Sequence, residues 1–86
     1  MKIVINRCWG GFSLSQEAAD YLGLEHGYVT VNRDDPKLVE CVEALGDRAN
    51  GKFAELKVVE IPDGIEWYID NYEGMEKIHE VHRSWY

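Results

Sequence analysis

The densest chemistry in this chain lies in "RCWGGFSLS", residues 7 to 15, which opens with a guanidinium, a thiol, two aromatic rings and a pair of glycines. Adjacent glycines such as Gly10 and Gly11 can take positive φ and turn backbone N–H groups outward. That suits an anion when a helix begins just beyond. Arg7 would add a charge-assisted pair, and Trp9 and Phe12 would offer stacking faces. The plainer reading is a tight strand-to-helix turn in which the glycines avoid strain and the two rings cover the core. No P-loop lysine follows and G-x-G-x-x-G is absent, so the glycines alone name no ligand.

A second cluster closes the chain. "HEVHRSWY" gathers His79, His82, Arg83, Trp85 and Tyr86. A guanidinium and imidazoles beside aromatic rings can stack a base and pair a phosphate. The alternative is a terminal strand that closes the core. Together the two clusters make one candidate ligand site of Arg7, Trp9, Gly10, Gly11, Phe12, His82, Arg83 and Trp85. In it Arg7 and Arg83 pair phosphates, the glycines donate N–H groups, and Trp9, Phe12 and Trp85 stack a base.

Catalysis has less to build on. Cys8 with His79 or His82 as base is a generic pairing, and no third residue is evident to orient the base. Cys41, inside "LVECVEAL", reads as a small core residue. Two cysteines make no disulfide framework, and the close Cys or His spacing of a zinc site is missing. The expectation is a protein that is not an enzyme and uses no metal or cofactor.

Seven carboxylates, Glu60, Asp63, Glu66, Asp70, Glu73, Glu76 and Glu80, run through the C-terminal third with Lys77 as the internal counter-charge. Pro62, Gly64 and Gly74 forbid one continuous helix there, so the carboxylates must spread over strands and turns. They form either the solvated face of an antiparallel sheet or an acidic ridge that imitates a nucleic-acid backbone and occupies a basic protein partner.

The elements that position these groups follow from pattern. "KIVIN" (2–6) is a buried strand. Ser13 and Gln16 have capping-box spacing, and Ser15 is an equally good N-cap. Leu14, Ala18 and Leu22 then make a helical stripe ending near Gly23. "GYVTVNR" (27–33) alternates like a half-buried strand. Asp34 and Asp35 before Pro36 start a second helix that buries Leu38, Val39, Val42 and Leu45 and stops at Gly46. "DRANGKF" is a polar connection turning at Asn50-Gly51. "ELKVVEI" is a strong strand, and "IEWYID" places Ile65, Trp67 and Ile69 on one face. "MEKIHEVHRSWY" fits either helix or strand, and the preceding "NYEG" turn favours a strand. The fold class is therefore α+β in one domain, residues 1–86. It has a small antiparallel-rich sheet of four to five strands with two helices, in the order β-α-β-α-β-β and then a strand or helix.

Size and charge narrow the partners. The chain has 86 residues, 16 Asp and Glu against 9 Lys and Arg, and a formal net charge of −7. So small a core gains from a homo-oligomer partner. The acidity argues against direct binding of duplex nucleic acid, and no apolar run is long enough for a membrane span. "MKIVINRC" is too short in apolar residues for a secretory signal, so the expected location is the cytoplasm, in reducing conditions.

"MKIVINRCWGGFSLS", "DPKLVECVEALGDRANGKFAELKVVEIPDG" and "EWYIDNYEGMEKIHEVHRSW" resemble a family of short proteins carried by bacteriophages and prophages. The resemblance spans most of the chain and rests on R-C-aromatic-G-G-F, D-P-x-L-V, A-N-G, I-P-D and the H-R-x-W ending. Longer members carry an insertion between the first helix and the D-P helix, where this chain has only "GLEHGYVTVNR". The resemblance implies a phage anti-defence protein acting in the host cytoplasm. Proteins of that kind sequester a nucleotide-derived immune signal or, alternatively, block a host complex such as a CRISPR effector.

Overall fold

Ile3, Val4 and Ile5 are consecutive branched residues, and a strand sends alternate side chains to opposite faces. The strand they build must therefore be covered on both sides. In the computed structural model, which describes residues 1–23, 32–80 and 84–85, that strand is β1 (Lys2–Asn6), buried from Ile3 onward. Val4 enters one core with Ala18, Leu38, Cys41 and Val42. Ile3 and Ile5 enter another with Val59, Ile61 and Ile78.

β2 (Leu56–Glu60) pairs antiparallel with β1, with Lys2 opposite Glu60 and Asn6 opposite Leu56. It divides its side chains in the same way: Leu56 and Val58 pack on the first core, and Val59 belongs to the second. The ribbon thus forms a middle layer. Helices α1 (Gln16–Leu22) and α2 (Pro36–Leu45) cover one face. The other face meets a second antiparallel sheet, β3 (Trp67–Tyr72), β4 (Met75–Glu80) and β5 (Ser84–Trp85), in the order β3-β4-β5. Ile65, Trp67 and Ile69 share the buried side of that sheet, as their spacing requires.

Local chemistry fixes the ends. The Ser15 side chain caps α1 by accepting from the Ala18 N–H at 3.1 Å, and Gly23 closes the helix at φ 70°. Asp35 caps α2 through the Lys37 N–H at 2.8 Å with proline in the first turn, and Gly46 ends it. Glu73 and Gly74 both have positive φ, 52° and 93°, the backbone that a two-residue type I′ hairpin needs between β3 and β4.

Four expectations need correction or restriction. The strands form two sheets, not one, because β1 buries both faces and carries a core on each. Leu14 precedes α1 and instead bridges Asn50, though it still packs on the first core. The 46–54 connection is not a plain Asn-Gly turn. A 3-10 turn spans Gly46–Ala49, Ala49 is buried, and the Asn50 side chain accepts from the Leu56 N–H at 2.9 Å. The strand expected at 27–33 lies, through residue 31, outside the described residues. At its described end the Arg33 carbonyl accepts from the Val4 N–H at 2.8 Å. The last segment is a strand from Met75 to Glu80.

Candidate ligand-binding site

The loop from Arg7 to Phe12 is held from beneath by a buried polar knot. Asn6 is fully buried and every polar atom of its side chain is used. Its Nδ2 donates to the carbonyls of Cys8 and Gly74, both at 2.6 Å. Its Oδ1 accepts from the N–H groups of Glu55 at 2.8 Å and Cys8 at 3.3 Å. The Asn6 backbone N–H donates to Glu76 Oε1 at 2.7 Å.

Glu76, equally buried, receives both Arg33 Nη atoms at 2.6 and 2.9 Å, a fork that neutralises the carboxylate where water is excluded. The Arg33 guanidinium also lies over the Phe12 ring, 3.6 Å from its centroid. Arg7 then ties the loop to β4: its Nη1 donates to the Glu76 carbonyl at 2.7 Å.

Close backbone approach sets the rest of the loop. A Cβ on Gly10 would collide with the backbone and side chain of Phe53, and one on Gly74 would collide with the Trp9 carbonyl and the Gly11 nitrogen. The loop is therefore clamped between residue 53 and the β3–β4 turn. That clamp leaves Trp9 standing out, 57% exposed, edge-on to Tyr72 at 5.9 Å and 70°.

Beside this pair opens a cleft of about 420 Å³ lined by Arg7, Asp70, Tyr72, Met75 and Lys77. The hairpin register makes it. Tyr68 stands opposite His79, Asp70 opposite Lys77 and Tyr72 opposite Met75, all on the face away from Ile69 and Ile78. The cleft brings two cations and one carboxylate to an exposed aromatic pair. Another cavity, about 350 Å³, lies where β1 meets the start of α2 and has the opposite character, with Asp34, Glu40 and Glu43 among its walls. Its one basic side chain, Lys2, bonds Glu43 at 2.9 Å, and that hydrogen bond and charge raise the Lys2 pKa.

The expected site residues divide. Arg7 lines the cleft and Trp9 stands at its edge. Phe12 does not join them; it packs on the helical core under Arg33. Gly10 and Gly11 do not abut a helix N-terminus, because the α1 cap is Ser15, and the Gly11 N–H turns back toward the Cys8 carbonyl at 3.5 Å. Gly11 does take positive φ, 88°, whereas Gly10 is needed for space against Phe53. His82 and Arg83 lie outside the described residues. Trp85 is described by its strand, in register with Ile78 on β4. Cys8 is half-buried, and its backbone is held by Asn6.

Asp70, Tyr72, Met75 and Lys77 line the cleft and are absent from the site expected on sequence. The available signal was the alternation of "WYIDNY" and "MEKIHE" about the Glu73-Gly74 turn, which pairs Tyr72 with Met75 and sends both outward with Lys77. Among the described residues no group of three or more His, Cys, Asp or Glu is placed to hold a metal ion, and no helix is long and apolar enough to cross a membrane. No protein-family model matches the chain, and no curated protein or solved structure is significantly similar to it.

Proposed function

We propose that this chain is a non-catalytic binding protein that takes a nucleotide-like ligand in the cleft between Arg7 and Lys77. In line with the resemblance to phage proteins, it would act as an anti-defence factor by withholding a nucleotide signal from its effector. One observation carries the reading: the cleft joins an exposed aromatic pair, Trp9 and Tyr72, to two cationic side chains. A nucleotide is an aromatic plate tied to an anion, so it matches both halves. A stacked base contributes about 1–3 kcal/mol and a hydrogen bond to a charged group about 1.5–3.

The acidic-ridge alternative has less support. Glu76 is buried on Arg33, Asp63 pairs with the amino terminus, and Glu80 stands opposite Trp67 while Asp70 faces outward. Glu76 and Glu80 therefore stand apart from the exposed carboxylates of Glu60, Asp63, Glu66, Asp70 and Glu73.

The test is a tryptophan-fluorescence titration with 5′-AMP and 5′-GMP. Saturable binding is expected, and Tyr72→Ala and Lys77→Ala should each weaken it about tenfold or more with an unchanged melting temperature. No binding at millimolar nucleotide, or binding indifferent to both substitutions, overturns the proposal.

A further inference from the structure

The outward face of β3 and β4 holds a second aromatic station. Tyr68 stacks on His79 across the strands, with ring centroids 5.3 Å apart and planes inclined by 18°. β3 is an edge strand of its sheet, so among the described residues no neighbouring strand lies beside the Tyr68 ring face turned from His79. Tyr68 is accordingly 57% exposed and Tyr72 66%. The two tyrosines are four residues apart on one strand and on one face, a separation of roughly 13 Å at ordinary strand rise.

What lies between them is not apolar. Asp70 and Lys77 form the intervening cross-strand pair, and His79 Nε2 stands 3.4 Å from Asp70 Oδ2. The face thus reads aromatic, charged, aromatic along its length, with Arg7 and Trp9 added at the Tyr72 end.

We propose that the ligand of this face is a two-base nucleotide, one base on Tyr72 and Trp9 and the other on Tyr68, with its sugar–phosphate link across Lys77 and Asp70. A single base with its phosphate fills only the Tyr72 end and leaves the Tyr68 ring bare. Two bases splayed by a bridging phosphate span a distance of this order, and neighbouring bases held apart on separate rings are how sheet surfaces take single strands. The middle pair sorts the link by charge. The Lys77 ammonium takes phosphate oxygens, and the Asp70 carboxylate accepts from a sugar hydroxyl, which makes the face prefer ribose to deoxyribose. No bond is made or broken.

This inference rests on the nucleotide reading of the Arg7–Lys77 cleft, and one set of titrations separates the two. Isothermal titration calorimetry would compare 5′-AMP, the linear ribodinucleotide pApA and its deoxy counterpart on the wild-type chain and on Tyr68→Ala. The expected result is pApA tighter than AMP by about tenfold or more, since the second stacked base acts at high effective concentration. The deoxy compound should be weaker than pApA. Tyr68→Ala should abolish the advantage of pApA and leave AMP unchanged, whereas Tyr72→Ala weakens both. If AMP binds but pApA binds no tighter, or keeps its advantage in Tyr68→Ala, the two-base inference is overturned and the cleft stands. If neither compound binds, both fall.

Discussion

Asn6 has every polar atom of its side chain satisfied inside the protein, which makes it hard to replace. Asn6→Leu keeps the size but strands the Glu55 N–H and the Cys8 and Gly74 carbonyls. Each stranded buried group costs about 1–3 kcal/mol, so a loss of at least about 3 kcal/mol is expected by urea denaturation. A loss below about 1 kcal/mol would mean that water substitutes for the amide. Glu76 and Arg33 behave as a unit. Arg33→Met alone leaves a buried carboxylate uncompensated and should cost about 3–5 kcal/mol, whereas Arg33→Met with Glu76→Leu should cost less than the single change. The two thiols separate by burial. Cys41 is fully buried, and that burial pushes its pKa up. A thiol reagent should therefore find Cys8 in the native protein and Cys41 only after unfolding. A raised folded-state pKa leaves the Cys41 contribution intact at neutral pH, and it is lost as pH climbs from the ordinary thiol value through the folded one. Equal labelling rates for both thiols would contradict the assignment.

The turns decide where Trp9 and Tyr72 stand. Gly64 takes positive φ, 77°, with open space around it, so Gly64→Ala should cost only the left-handed backbone penalty of about 1–2 kcal/mol. Gly74 has the same need at 93° and in addition abuts the Trp9 carbonyl and the Gly11 nitrogen. Gly74→Ala should be clearly worse in thermal melting and should also shift tryptophan emission as the loop moves, whereas equal costs for the two would remove the clamp.

The ends of the helices and strands are legible in local sequence signals. The Ser15 and Asp35-Pro36 caps, the Gly23 and Gly46 stops, the buried strand at 2–6 and the "NYEG" hairpin each depend on a few neighbouring residues. What was not legible depends on partners far along the chain. Asn6 and Glu76 look like ordinary polar positions until a hydrogen bond joins residues 70 apart in sequence. Phe12 looks like a stacking ring until Arg33 is seen lying over it. The single expected sheet became two because strand pattern reports which faces are buried and not which strand covers them.

The ribbon of β1 and β2 is a spine with a helical core on one side and the β3–β4 core on the other, and the face of β3 and β4 turned from that core carries Tyr68, Asp70, Tyr72 and Lys77. The overall charge of −7 opposes the approach of long polyanions, while in the cleft itself Arg7 and Lys77 stand beside the one carboxylate of Asp70. Salt should weaken nucleotide binding only modestly, because stacking is insensitive to screening; a loss of about a hundredfold between low and high salt would indicate an interaction made by charge alone. Nucleotide binding in the Arg7–Lys77 cleft is tested by an amide and indole N–H chemical-shift titration of the labelled protein with 5′-AMP. The largest shifts are expected on Arg7, the Trp9 indole, Tyr72 and Lys77. Shifts concentrated instead on Lys2, Asp34 and Glu40, around the other cavity, would contradict it.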